Sequence, residues 1–125
     1  MAIYKGNFEC KEDVFMEFSQ GYGELDSDMK NEMENCKILL AWYGYGSYDG
    51  SAFVLFERDG KLYEVNGSHC SCYGLEDQWV PEETSVAELR HRIEHGSLGQ
   101  DSYYDDCVFG KQLKGCLKRW EKSHL

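Results

Sequence analysis

The chain has 125 residues, a formal net charge of −10, 42% hydrophobic and 14% aromatic residues. That length suits one ordinary domain with one core, and the apolar content argues against global disorder. The acidity argues against nucleic acid or an anionic membrane as a direct partner, and no run approaches the roughly 20 apolar residues that span a bilayer. The beginning, Met1-Ala2-Ile3-Tyr4-Lys5, lacks a signal-peptide core, so a cytoplasmic protein of a single domain, 1–125, is expected. In a reducing compartment the six cysteines are expected as thiols, metal ligands or reactive groups rather than disulfides.

Charge is unevenly distributed. From Glu9 to Glu34 nine carboxylates face two lysines, whereas Lys111 to Lys122 carries five basic residues and one acid. Within the acidic front, Cys10, Val14, Phe15 and Phe18 share one apolar helical face, predicting a helix over 10–19 that Gly21-Tyr22-Gly23 stops. Glu24 to Asn35 reads as a short helix or an ordered loop.

Next come two nearly continuous apolar runs, Lys37 to Tyr43 and Ala52 to Phe56. Such runs predict strands covered on both faces. Asp49-Gly50, Asp59-Gly60 and Asn66-Gly67 are hairpin-type dipeptides. They predict an antiparallel meander: Lys61 to Val65 forms a third strand, and Asn66-Gly67 reverses the chain into a short fourth over 68–73. Ser85-Val86-Ala87-Glu88 fits a capping box for a helix ending at Gly96, with Val86, Leu89 and Ile93 as its buried stripe. Phe109, Leu113, Cys116, Leu117 and Trp120 form the stripe of a last helix over about 108–122. The expected fold is therefore α+β, an antiparallel three- to four-stranded meander packed with one N-terminal and two C-terminal helices. A second copy is a candidate for shielding part of the sheet.

Several residues carry candidate chemistry. Cys10, Cys36 and Cys116 read as small buried hydrophobes. Cys70 and Cys72 would share one face of a strand, and His91 and His95 stand i, i+4 on the capped helix. Together they make a possible tetrahedral zinc set, although the two histidines lie opposite the helix's apolar stripe. The same pair of cysteines is the candidate centre of a thiol-dependent activity. His69, a chain neighbour of Cys70, would then point to the other face and serve poorly as its base. Gly44-Tyr45-Gly46 opens like a dinucleotide loop but leads into a hairpin turn, without the helix that signal requires.

The acidic front offers a different chemistry. Fully helical, its 26 residues would span about 39 Å, over which one DNA strand carries about 11 phosphates. Nine carboxylates approach that density, so partial nucleic-acid mimicry stands beside ordinary surface acidity. The residues expected to contact a partner are Glu24, Asp26, Asp28 and Glu32, with Tyr45 and Tyr48 at a hairpin tip as aromatic anchors.

Finally, Ser51-Ala52-Phe53-Val54-Leu55-Phe56, the run from Asp59 to Glu76 and Gln78-Trp79-Val80-Pro81-Glu82-Glu83-Thr84 resemble a small family of uncharacterised phage and prophage proteins. The resemblance covers roughly residues 51–96 and brings no activity or ligand with it. It implies a phage-borne accessory protein acting in a host cell. The leading expectation is a non-enzymatic acidic inhibitor of a host protein or nucleoprotein complex, of anti-defence type. The alternative is a small zinc-binding or thiol-dependent domain centred on Cys70 and Cys72.

Overall fold

The computed structural model describes residues 2–6, 8–18, 27–45, 50–69, 78–96, 98, 100–101, 106–107 and 109–123. The chain divides into two compact units, Met1–Glu83 and Thr84–Leu125.

The first unit contains β1 (Ile3–Gly6), α1 (Lys11–Phe18), α2 (Ser27–Asn35), β2 (Lys37–Tyr45), β3 (Gly50–Arg58) and β4 (Lys61–His69). With β5 (Glu82–Thr84) the strands form one five-stranded sheet in the order β1-β2-β3-β4-β5. The expected α+β class holds. The expected purely antiparallel meander is corrected, because β1 lies parallel to β2, pairing Ile3 with Leu40 and Gly6 with Tyr43. A parallel neighbour needs a crossover of a dozen or more residues, usually helical, and the segment carrying α1 and α2 supplies it. Four residues of β1 are too few to show strand periodicity by themselves.

The antiparallel heart of the sheet is β2-β3-β4. Phe53, Val54, Leu55 and Phe56 are all buried, as a continuous apolar run requires. In β2 the register shifts between Ile38 and Leu40, making Leu39 the extra residue of a bulge. The bulge lets Ile38 and Ala41, three apart in sequence, both join the core beneath α1 and α2. There they meet Val14, Phe15, Phe18, Met29, Val54, Phe56 and Val65. Gly44, further along β2, leaves room for an indole. A Cβ there would stand 2.2 Å from the Trp42 ring.

Asp59-Gly60 makes the tight turn between β3 and β4, both residues at positive φ (55° and 78°). Asn66-Gly67 does not reverse the chain, contrary to the turn expected there. β4 continues through it to His69, with Asn66 opposite Phe53, Gly67 opposite Ala52 and His69 opposite Gly50. The nine residues of β3 provide a partner for every residue of β4, so ladder pairing prevails over the local turn preference. Ser68 and His69 therefore end the third strand of the expected meander, and the remainder of the expected fourth, 70–73, lies outside the described residues.

The second unit contains α3 (Val86–His95), a two-stranded ladder of β6 (Gln100–Asp101) and β7 (Asp106–Cys107), and α4 (Gly110–Ser123). The Ser85 hydroxyl accepts the Glu88 backbone N–H at 3.1 Å, as the capping box predicts. At the other end Gly96 donates to the Arg92 carbonyl at 3.0 Å. Its backbone is extended (φ −121°), so glycine is favoured there by space: a Cβ would meet the Arg92 oxygen at 2.8 Å. Leu89 and Ile93 of α3 and Leu113, Cys116 and Leu117 of α4 are buried, and Arg90 pairs with Glu121 between the two helices.

Candidate functional site

The acidic front folds as two short helices that pack against each other, so it does not form one continuous 26-residue rod. Each helix has few apolar residues, and these turn to the core: Val14, Phe15 and Phe18 from α1, Met29 from α2. The opposite surfaces expose Glu9, Glu12, Glu17 and Glu34. Asp13 caps its own helix by accepting the Glu9 backbone N–H at 2.9 Å. Amphipathicity thus leaves carboxylates facing outward on a layer anchored from below.

Glu32 has another environment. One of its carboxylate oxygens, Oε2, accepts from Arg58 Nη1 at 3.1 Å and from Trp79 Nε1 at 3.3 Å, with the Cys36 thiol at 3.8 Å. Arg58 lies over the Tyr63 ring, 4.8 Å from its centre. Trp79 stacks on Phe56 at 5.5 Å and 14°, and Phe15 and Phe18 close on it at 4.7 and 5.2 Å. Phe56 stacks in turn on its cross-strand partner Tyr63. A single carboxylate therefore joins α2, the end of β3 and the segment before β5. Arg58 and Trp79 escaped the sequence reading, and no local pattern connects Glu32 to residues 26 and 47 positions away.

Glu64 was also missed, and here a signal existed. It is 4% exposed and accepts from Asn66 Nδ2 at 2.9 Å. It shares a face of β4 with Leu62 and lies opposite Leu55, within the apolar run Ala52 to Phe56 of β3. A polar residue on that face had to be buried and hydrogen-bonded.

Of the other expected contact residues, Asp28 and Tyr45 are placed by their backbones in α2 and β2, while Glu24, Asp26 and Tyr48 lie outside the described residues. The thiols divide by position. Cys36 is buried, and burial first, then the Glu32 carboxylate, pushes its pKa up to about 12. Cys116 is buried too, and burial raises its pKa although Arg119 donates to its sulfur at 3.4 Å. Both are therefore neutral thiols near pH 7, poor nucleophiles and poor metal ligands. Cys10 differs from the buried residue expected. It precedes α1 and is only partly buried, so it does not join the apolar face of the helix.

Cys70 and Cys72 lie outside the described residues. His91 and His95 do form the expected pair on α3: both are exposed, with ring centres 4.9 Å apart. Among the described residues no three His, Cys, Asp or Glu side chains converge as a metal-binding group. No helix among them is long and apolar enough to cross a membrane. No protein-family model, curated protein or solved structure matches the chain.

Proposed function

We propose that this chain is a non-enzymatic interaction protein, phage-encoded, that binds and blocks a host protein or nucleoprotein complex in the host cytoplasm through its α1–α2 layer. The observation that carries the reading is the exposure of Glu12, Glu17 and Glu34 on helices whose apolar sides are fixed in the core, with Glu9 exposed just before α1. A negative surface on a firm base suits a basic partner surface, such as one that ordinarily receives nucleic acid, because complementary potentials speed encounter and fix orientation. A phage origin, which the resemblance read in residues 51–96 implies, would fit a host target and an inhibitory role, of the kind that counters host defence.

The layout of charges selects which residues to test. Glu32 holds Arg58 and Trp79 in place, so its reversal would damage the fold together with any interface. A variant carrying Glu12→Lys, Glu17→Lys and Glu34→Lys leaves that cluster intact. Capture from a bacterial lysate by the tagged wild-type chain should recover a partner whose retention falls with salt. The triple variant, shown by circular dichroism to remain folded, should retain at least about tenfold less, or roughly 1.4 kcal/mol. Equal, salt-insensitive recovery by the triple variant would overturn the reading.

A further inference from the structure

The histidine pair on α3 is independent of the acidic layer and is not used by the proposed function. We infer that His91 and His95 are two ligands of a site for a divalent transition metal of the zinc and nickel class, on the exposed side of the last two turns of α3. Three observations converge on it.

The first is ring geometry. The two imidazole centres are 4.9 Å apart and inclined at 41°. Zinc binds a histidine nitrogen at about 2.0–2.1 Å, which puts each ring centre about 3 Å from the ion, so two rings ligating one ion stand about 5 Å apart. The observed separation matches that spacing.

The second is access. His91 and His95 are both exposed, opposite the buried Leu89 and Ile93, so an ion reaches them without opening the core. The third is local charge. The pair occupies the C-terminal half of α3, where the helix dipole favours a cation. The two neighbouring arginines are drawn to carboxylates, Arg90 to Glu121 and Arg92 to Glu88. The segment also reads His91-Arg92-Ile93-Glu94-His95, an order of residues found in one class of zinc enzymes. Glu94 does not complete a three-ligand set here. Two imidazoles leave coordination positions open for water or a donor from a bound molecule.

The test uses the full chain and Zn²⁺ alone as the probe, with the imidazole resonances followed by NMR. Both histidines are exposed, so His91→Asn and His95→Asn should fold normally, as the melting temperature without metal will show. The expected result is that Zn²⁺ moves the His91 and His95 resonances together along one saturation curve. Replacing either histidine should weaken that response at the other by at least tenfold. Zinc that binds without moving either resonance overturns the assignment, and so does an absence of binding at millimolar Zn²⁺. A response at each histidine that survives loss of the other also overturns it, because the two are then separate monodentate sites. None of these outcomes depends on the acidic surface, so the two proposals fail or stand separately.

Discussion

Residues 1–83 and 84–125 both bury a good apolar set, but they assemble it over different sequence distances. In the first unit the core mixes aromatic with aliphatic side chains and is long-range. Trp79 packs between Phe15, Phe18 and Phe56, contributed by a helix, a strand and a connecting segment. Glu32 bonds to residues 26 and 47 positions away. In the second unit α3 and α4 each present an aliphatic stripe at helical spacing, with the cap of α3 supplied by Ser85, three residues from the Glu88 backbone N–H that it accepts. Local order in the second unit follows from neighbours in sequence, whereas order in the first depends on a few residues that connect several elements. Substitution of those few should therefore have the larger consequences.

The largest expected effect is at Phe56, which is fully buried and stacks on both Trp79 and Tyr63. Phe56→Ala should lower unfolding free energy by about 3–5 kcal/mol, read as a shift in the urea midpoint, and should alter Trp79 emission in the folded state. In the second unit Leu117→Ala removes a buried side chain from one stripe only. A loss from Leu117→Ala exceeding that from Phe56→Ala would break the contrast between the two units.

A smaller effect sharpens the contrast within a single helix. Glu32 and Glu34 are two residues apart on α2, one bonded to Arg58 and Trp79 and the other exposed. Glu32→Ala should cost about 1–3 kcal/mol, since it leaves the partly buried Arg58 and Trp79 donors without their acceptor. Glu34→Ala should stay within about 0.5 kcal/mol. Equal urea midpoints for the two variants would mean that the Glu32 cluster contributes no more than surface charge.

The same division explains what could be read in advance. The helices of the second unit were legible from stripes and caps, and the two central strands from their apolar runs. The Asp59-Gly60 turn was legible because positive φ at both residues suits that dipeptide. Asn66-Gly67 carries a similar local signal, yet it lies within β4, because the partner strand continues beside it. Parallel β1 was not legible, since four residues carry little periodicity and its partner follows two helices later. At the candidate sites, the histidine spacing was visible directly. The separation of Glu32 from the outward carboxylates was not, because all belong to one acidic stretch and differ only in what folding brings to them.

The smallest effect concerns the buried thiol that also faces the Glu32 carboxylate. Burial, reinforced by that carboxylate, raises the Cys36 pKa from an ordinary value of 9.0 to about 12. A raised pKa means that the folded chain keeps its proton while the unfolded chain loses it. The resulting stability is complete below pH 9 and declines as pH rises toward about 12, by at most about 1.4 kcal/mol per pH unit. Other groups titrate in that window, so the relevant quantity is the difference between the wild type and Cys36→Ala. Urea midpoints at pH 7 and pH 10 should show the wild type losing more stability over the interval than the variant. Parallel losses would mean that Cys36 ionises as readily in the folded chain as in the unfolded one. The thiol and its neighbouring carboxylate would then be open to water, and the Glu32 cluster would be a surface feature instead of the joint between α2 and the sheet.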